Sequence, residues 1–452
     1  MRRLFYQPQQ RYRLLLLSVD ILILVSLFLI IYYIDNSFSF RITYYQYNIF
    51  LSLFFITLIT INIFYILDLY DLSRPRGAAF ILLAICLGLG IALLIYSSFA
   101  YFIIMLRPGK INLLIFFALA ALLTFTWRWI YVRLIPIKPQ HLLLLGNDNI
   151  FQDISKEIEK NYAPYYKIAG HWHRSSHNPT LPKLNDFVKE NHIDTIVYSV
   201  HSQVVNKIAN DLIDVGLDDR NIIDAYTFYQ FLTRKYPIYF LDDFWLLITA
   251  QRKLFFPSVA TRMKRLFDVL FVLVLMPLAL PLMLLISLAI KATSAGPALF
   301  IQERLGQREV PFKLYKFRTM VHNAEALSGP VWSSDRDPRI TKVGRILRKL
   351  RLDELPQLFN VLKGEMSVVG PRPIRKHFAD ILAQEVPYYR LRFLAKPGLT
   401  GWAQVNHDYA GSNDGQAKKL QYDLFYLVHQ SLGLDLLILF KTVKIMIRGK
   451  GM

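Results

Sequence analysis

The sequence is poor in three things, and each shortage narrows the field. It holds one cysteine, Cys86, which excludes an intramolecular disulfide and any zinc or iron–sulfur site built on cysteines. Charged residues make up only 19%, below the roughly 25% usual for soluble domains. Acidic residues are the scarcer sign: 33 Asp and Glu against 53 Lys and Arg leave a formal charge of +20. Internal repeats and low-complexity tracts are also lacking. Apolar residues take the place of the missing charge, 54% of a 452-residue chain, gathered in long runs. The composition excludes an average globular enzyme and describes a membrane protein with a basic aqueous part. Its length suggests about three domains. Anionic partners follow from the charge: nucleic acid, lipid headgroups or a phosphorylated substrate.

Four apolar stretches, 14–34, 48–67, 80–106 and 111–135, are each long enough for a membrane helix of about 20 residues. None reads as a cleaved signal peptide, because the first is too long and no small-residue cleavage site follows it. Loop charges orient the bundle. Arg2, Arg3, Arg11, Arg13, Arg74, Arg76, Arg128, Arg133 and Lys138 fall on one side, and Arg41, Arg107 and Lys110 on the other. The positive-inside rule then puts the N-terminus and everything after the fourth helix in the cytoplasm. Asp20 lies within the first span, where a carboxylate is either functional or paired inside the bundle.

Residues 139–255 read as a cytoplasmic α/β domain. Strand candidates at 141–146 (HLLLLG) and 195–200 (TIVYSV) alternate with helical stretches at 150–160 and 204–215. This alternation suggests a parallel, Rossmann-like sheet. The turn after the first strand, Gly146-Asn147-Asp148-Asn149, lacks the second and third glycines of a dinucleotide site, so the fold is expected without that cofactor. His171, His173 and His177 cluster locally, but without a Glu-x-x-His pattern they read as a solvated loop rather than a metal site.

A fifth apolar run, within 266–291, is flanked by Lys264, Arg265 and Lys291. The basic region after it, 291–396, holds 20 Lys/Arg against 10 Asp/Glu, a cytoplasmic signature that a straight crossing would place outside. Pro277 and Pro281 lie within the run, and an interior proline bends a helix. The expectation is a re-entrant helix that enters the membrane, breaks at one proline and returns. Beyond it, a strand pair is expected at 299–303 and 311–317 around a polar turn, and a final amphipathic stretch at 432–447.

The chemistry concentrates in the C-terminal part, 256–452. Asp353-Glu354 precedes Leu355-Pro356, and the proline marks a helix boundary that would make Asp353 an N-cap. Adjacent carboxylates suit Mg²⁺ held jointly with substrate phosphates. Strand alternation puts Lys316 and Arg318 side by side. Arg345, Arg348 and Arg351 follow at helical spacing, and Arg339 follows Asp337-Pro338. Arg372 stands between Pro371 and Pro373, on a stiff loop suited to clamping a phosphate.

These segments carry a resemblance. KRLFD (264–268), YKFRTM (315–320), DPRIT (337–341), LDELPQ (352–357), NVLKGEMSVVGPRP (360–373) and KPGLTGWAQVN (396–406) resemble the bacterial sugar transferase family, the polyprenyl-phosphate hexose-1-phosphate transferases or monotopic phosphoglycosyl transferases. The likeness spans 262–452, and the four-helix bundle (1–138) with its α/β insert (139–255) resembles the family's long form. The resemblance implies an enzyme of the bacterial inner membrane with its catalytic domain on the cytoplasmic face. It would transfer sugar-1-phosphate from a UDP-sugar to undecaprenyl phosphate and release UMP. This would be a first membrane step of exopolysaccharide, capsule or O-antigen synthesis. Asp353 would be the nucleophile of a covalent phosphosugar intermediate, with Glu354 beside it and Mg²⁺ as cofactor. Lys316, Arg318, Arg339, Arg348, Arg351, Gln357 and Arg372 would bind substrate. The partners implied are the UDP-sugar, the lipid phosphate, the bilayer and a second copy in a homodimer, and not nucleic acid. The family's re-entrant helix breaks at a Ser-Pro pair; here the aligned pair is Leu280-Pro281, with Pro277 a second candidate. The competing readings are a non-catalytic membrane scaffold for polysaccharide assembly and a lipid flippase. The complete dyad argues against the first, and the lack of paired broken helices in the bundle against the second.

Overall fold

The computed structural model is described over residues 8–38, 49–67, 69–70, 78–102, 110–134, 139–146, 148–172, 184–199, 220–240, 259–321, 337–407 and 413–447. The chain divides into two compact units, Met1–Leu232 and Thr233–Met452.

The first unit opens with four helices: α1 (Pro8–Phe38), α2 (Ile49–Ile66), α3 (Ala78–Phe102) and α4 (Lys110–Leu134). They pack in a bundle in which α1 touches α2 and α4, and α3 touches α2 and α4. Leu14–Ile34, Ile81–Tyr101 and Ile111–Tyr131 are long and apolar enough to cross a membrane. The apolar part of α2, Phe50–Ile66, is shorter. Buried Thr60 and Thr124 donate to the carbonyls of Ile56 and Ala120 one turn back (2.7 and 2.6 Å), which satisfies these two hydroxyls within their own helices. Asp20 pairs inside the bundle. Arg128 grips both its oxygens (2.8 and 2.7 Å), and the Tyr70 hydroxyl donates to Oδ2 (2.9 Å). The guanidinium also lies 5.3 Å from the Phe64 ring centre. Stripping one partner from such a buried pair costs about 3–5 kcal/mol.

The rest of this unit is a four-stranded parallel sheet: β1 (Gln140–Leu145), β2 (Tyr166–Trp172), β3 (Thr195–Tyr198) and β4 (Asn221–Asp224), in the order β2-β1-β3-β4. Helix α5 (Ile150–Glu157) lies between β1 and β2, α6 (Leu184–Glu190) between β2 and β3, and α7 (Ala225–Thr233) follows β4. Leu142–Leu145 of the inner strand β1 are fully buried, as a strand covered on both faces requires. His171 belongs to β2; His173, His177 and the helix expected at 204–215 lie outside the described residues.

The second unit is built around α8 (Val259–Thr293), 35 residues with Pro277 and Pro281 in its interior. Neither proline ends the helix. Val272, Met276, Ala279, Met283, Ile286 and Ile290 are buried at alternating steps of four and three, which is one helix face. Leu270, Leu273, Val274, Leu278, Leu284, Leu285 and Leu288 are exposed on the rest. Thr261–Thr293 is long and apolar enough to cross a membrane. Both ends of α8 are nonetheless tied to the same unit. At its start, Lys264 pairs with Asp435 (2.8 Å), Arg265 donates to the carbonyls of Val361 and Leu362 (2.5 and 2.7 Å), and Asp268 accepts from the Val368 amide (3.0 Å). At its end, Arg318 donates to the carbonyls of Ala295 and Ser294 (2.7 and 2.9 Å).

After α8 comes the expected antiparallel pair, β5 (Leu299–Leu305) and β6 (Pro311–Phe317). Then follow α9 (Lys342–Lys349), a 3₁₀ turn at Leu352–Glu354, α10 (Gln357–Lys363), β7 (Ser367–Val369), α11 (Lys376–Glu385), a second 3₁₀ segment at Tyr389–Leu394 and β8 (Gly398–Thr400), which pairs with β7. The unit closes with α12 (Trp402–Asn406), α13 (Asn413–His429) and α14 (Leu432–Ile447), the last on the stretch read from the sequence. A strap at 234–240 lies across this unit. The Tyr236 amide donates to the Gln421 carbonyl (2.9 Å), and the Trp402 indole donates to the Arg234 carbonyl (3.0 Å). Tyr236 and Ile238 are buried among Leu305, Ile374, Phe378, Leu420 and Leu424.

Candidate active site

The chain turns sharply before the dyad. Thr341 caps α9, accepting from the Gly344 amide (2.9 Å). The helix ends at Lys349, and Arg351 takes a left-handed conformation (φ 55°, ψ 22°). A side chain rarely sits there, at a cost of about 1–3 kcal/mol. The twist swings Asp353 and Glu354 into the 3₁₀ turn, both buried. Asp353 is therefore not the N-cap expected of it. Pro356 immediately precedes α10, and the carboxylate lies three residues before that position.

Opposite the dyad stands β6. Asn360 of α10 locks the two together: its amide donates to the Lys313 carbonyl (2.7 Å) and its oxygen accepts from the Tyr315 amide (3.2 Å). The lock places the Lys316 ammonium 3.4 Å from Glu354 Oε1. Arg372 reaches the same oxygen at 2.7 Å. Its loop is held by close backbone contact: a Cβ on Gly370 would collide with the Lys396 carbonyl, and one on Gly398 with the Gly370 nitrogen. Arg351 adds a third cation, and its Nε is buried without a protein partner.

The two carboxylates sit in different fields. Burial pushes Glu354 up, but Arg372, Lys316 and Arg351 overcome it and hold the group well below the usual range. Burial and the charge of Glu354 push Asp353 up, partly offset by Lys316, Arg372 and Arg348. The site thus contains one firmly ionised carboxylate and one more basic, hence more nucleophilic, neighbour. Burial lowers Lys316, as do Arg372 and Arg304, so its ammonium gains from any anion that enters.

Of the residues read from the sequence, Lys316, Arg348, Arg351 and Arg372 gather around the dyad. Gln357 is buried at the start of α10. Arg318 stands apart. It lies one residue beyond β6, where alternation lapses, and it donates to the carbonyls of Ser294 and Ala295 just past the end of α8. Arg339 binds both Asp337 oxygens (2.9 and 2.6 Å) and holds that carboxyl down to about 2. Arg348 donates from Nε to Thr319 (2.9 Å). Sequence reasoning missed Lys419 of α13, which burial lowers first and the charges of Arg372 and Arg392 lower further. It also missed Arg392 and Asp423, which are 31 positions apart and carry no shared spacing signal.

Among the described residues no three His, Cys, Asp or Glu side chains form a metal cluster. The dyad alone offers hard oxygen donors, and Glu354 Oε1 is engaged by Lys316 and Arg372. Two carboxylates, with the remaining ligands from water and substrate phosphate, suit Mg²⁺ rather than a fully caged ion.

The sequence that builds this unit has relatives of known family. Residues 259–449 match the family described as bacterial sugar transferase, and the chain belongs to that family. It is 46% identical over 188 residues to the UDP-N-acetylgalactosamine-undecaprenyl-phosphate N-acetylgalactosaminephosphotransferase of Aeromonas hydrophila, covering 42% of this chain and 44% of that protein. It is 44% identical over 190 residues to the UDP-glucose:undecaprenyl-phosphate glucose-1-phosphate transferase of Caulobacter vibrioides, covering 41% and 71%. It is 42% identical over 196 residues to the exopolysaccharide production protein PSS of Rhizobium leguminosarum bv. phaseoli, covering 42% and 98%. The chain thus spans less than half the length of the Aeromonas relative and nearly all of the Rhizobium one.

Proposed function

We propose that this protein transfers sugar-1-phosphate from a UDP-sugar to undecaprenyl phosphate, giving undecaprenyl-diphosphate-sugar and UMP, at the cytoplasmic face of a bacterial inner membrane. The observation that carries this reading is the convergence of Lys316 and Arg372 on the buried Asp353-Glu354 pair, in a unit whose relatives are named for undecaprenyl-phosphate transfer.

Asp353 is the nucleophile. A carboxylate oxygen attacks the phosphorus bonded to the sugar, the bond from that phosphorus to the bridging oxygen breaks, and UMP leaves with the electron pair. An oxygen of the lipid phosphate then attacks the same phosphorus and returns the Asp353 carboxylate. One difficult displacement becomes two easier ones. Lys316, Arg351 and Arg372 hold the charge on the phosphoryl oxygens. Glu354 keeps those cations in place and stays ionised throughout. Mg²⁺, if held by Asp353 and Glu354 with the donor's phosphates, would supply further charge neutralisation. Helix α8, bent at its interior prolines, enters the bilayer and returns to the same face, a reading supported by the attachment of both its ends to one unit and by the basic residues near each end. That geometry keeps the dyad at the membrane surface, where a water-soluble donor meets a lipid acceptor.

The test is UMP release by purified full-length protein with undecaprenyl phosphate and a panel of UDP-sugars. Lipid-dependent release with at least one sugar is expected. Asp353→Asn should lower it by about a thousandfold or more. Full turnover by that variant would refute the covalent route, and no release with any donor would favour the scaffold reading.

A further inference from the structure

Arg372 reaches Glu354 from a loop, and a guanidinium at the end of a long side chain is only as well placed as the backbone that bears it. That backbone is gripped from behind by a buried arginine the transfer chemistry does not use. Arg392 donates from Nη2 to the Arg372 carbonyl (3.0 Å) and pairs through the same nitrogen with Asp423 on α13 (2.9 Å). Its Nη1 donates to the Tyr389 hydroxyl, and its guanidinium carbon lies 5.1 Å from the Tyr389 ring centre. Both members of the pair are buried, at 8% and 2% exposure.

A buried ion pair contributes little net stability, because desolvation offsets the attraction, and an apolar pair of similar volume would serve as well. What an apolar pair cannot do is hold a carbonyl at a fixed place. The planar fork of an arginine can bind carboxylate, carbonyl and hydroxyl at once; a lysine ammonium offers no such fork. Asp423 also neutralises the guanidinium, which otherwise would stand unscreened near Arg372 and Lys419. The contact that leads from Arg392 toward the dyad is its hydrogen bond to the Arg372 carbonyl.

We infer that Arg392, oriented by Asp423 and Tyr389, is a positioning residue that fixes the Arg372 carbonyl and thereby aims the Arg372 guanidinium at the dyad. The inference deepens the proposed transfer reaction and rests on it for its kinetic test, while a second measurement does not need activity.

Full-length Arg392→Lys keeps the charge and loses the fork. With a donor the parent protein accepts, kcat should fall about tenfold to a hundredfold, with the donor KM within about twofold, as expected when an interaction specific to the transition state is lost. In an Arg372→Ala background the same substitution should change kcat less than about twofold, because the residue it acts through is gone. Equal losses in both backgrounds would reduce Arg392 to a general structural role and overturn the inference. Independently of turnover, modification of Arg372 by phenylglyoxal, read by peptide mass spectrometry, should be several-fold faster in Arg392→Lys. An unchanged rate would overturn the inference even if the parent protein transferred no sugar, an outcome that would separately refute the reaction. Should Arg392→Lys not fold, Tyr389→Phe, which removes one hydrogen bond from the fork, should show the same pattern at about two- to fivefold.

Discussion

Glu354 and Asp353 differ by one methylene and one position, yet the fold drives their acidities apart. Cations touch Glu354 directly and outweigh its burial, while burial and the charge of Glu354 raise Asp353 despite the partial offset from Lys316, Arg372 and Arg348. A rate that needs the Asp353 carboxylate should therefore fall on the acid side with an apparent pKa above that of an ordinary aspartate, a value belonging to the dyad as a pair. Lys316 pulls Asp353 down, so Lys316→Met should move that acid limb to higher pH; a pH–kcat profile with an unmoved limb would contradict the assignment. Much of this was legible in the sequence at the scale of single residues. Asp353, Glu354, Lys316 and Arg372 stand in motifs dense with charge and proline, and the fold brings them together. Arg318 lies one residue past the end of β6 and donates to the Ser294 and Ala295 carbonyls, contacts that strand alternation does not foresee. The N-cap was misread because Pro356 marks where α10 begins, while a 3₁₀ turn intervenes before it. Arg392 and Asp423 were invisible, since a buried pair assembled from distant segments leaves no local spacing to detect.

Elements were legible in proportion to their length and periodicity. The long apolar helices, the β5–β6 pair and α14 stand out because hydrophobic runs and alternation persist over many residues. Strand β4, four residues long, and strands β7 and β8, three each, are too short for any pattern to emerge. The strap at 234–240 carries no motif and precedes the family match, yet it buries Tyr236 and Ile238 in the core behind Arg372. Truncating Tyr236 to alanine should cost about 3–5 kcal/mol, as for other large core aromatics. For a unit of this size that corresponds to a fall of roughly 10 °C in the half-inactivation temperature of the full-length protein. An unaltered temperature would show the strap to be dispensable packing.

At the scale of the whole molecule, topology is decided by charge at helix flanks. Lys264 and Arg265 lie near the start of α8 and Lys291 near its end, so both ends should face the cytoplasm. In a Cys86→Ser background, Arg262→Cys and Thr293→Cys should each resist a membrane-impermeant maleimide in intact spheroplasts and react once the membrane is permeabilised. Labelling of one site alone from outside would mean a straight crossing. The four apolar helices and the parallel α/β stretch after them were readable from where apolar runs stop and alternating strands and helices begin, and the chain divides into two compact units. The strand order of the parallel sheet was not readable, because register and neighbour choice come from packing between segments far apart in the chain.

The grip of Arg128 on Asp20 also has a consequence for biogenesis. The first helix reaches the bilayer carrying a bare acid, and the base that quenches it lies 108 residues further along the chain. Until the fourth helix is made and inserted, the nascent bundle holds an unpaid electrostatic debt inside the lipid. The fourth helix thus completes a pairing that the first cannot make alone.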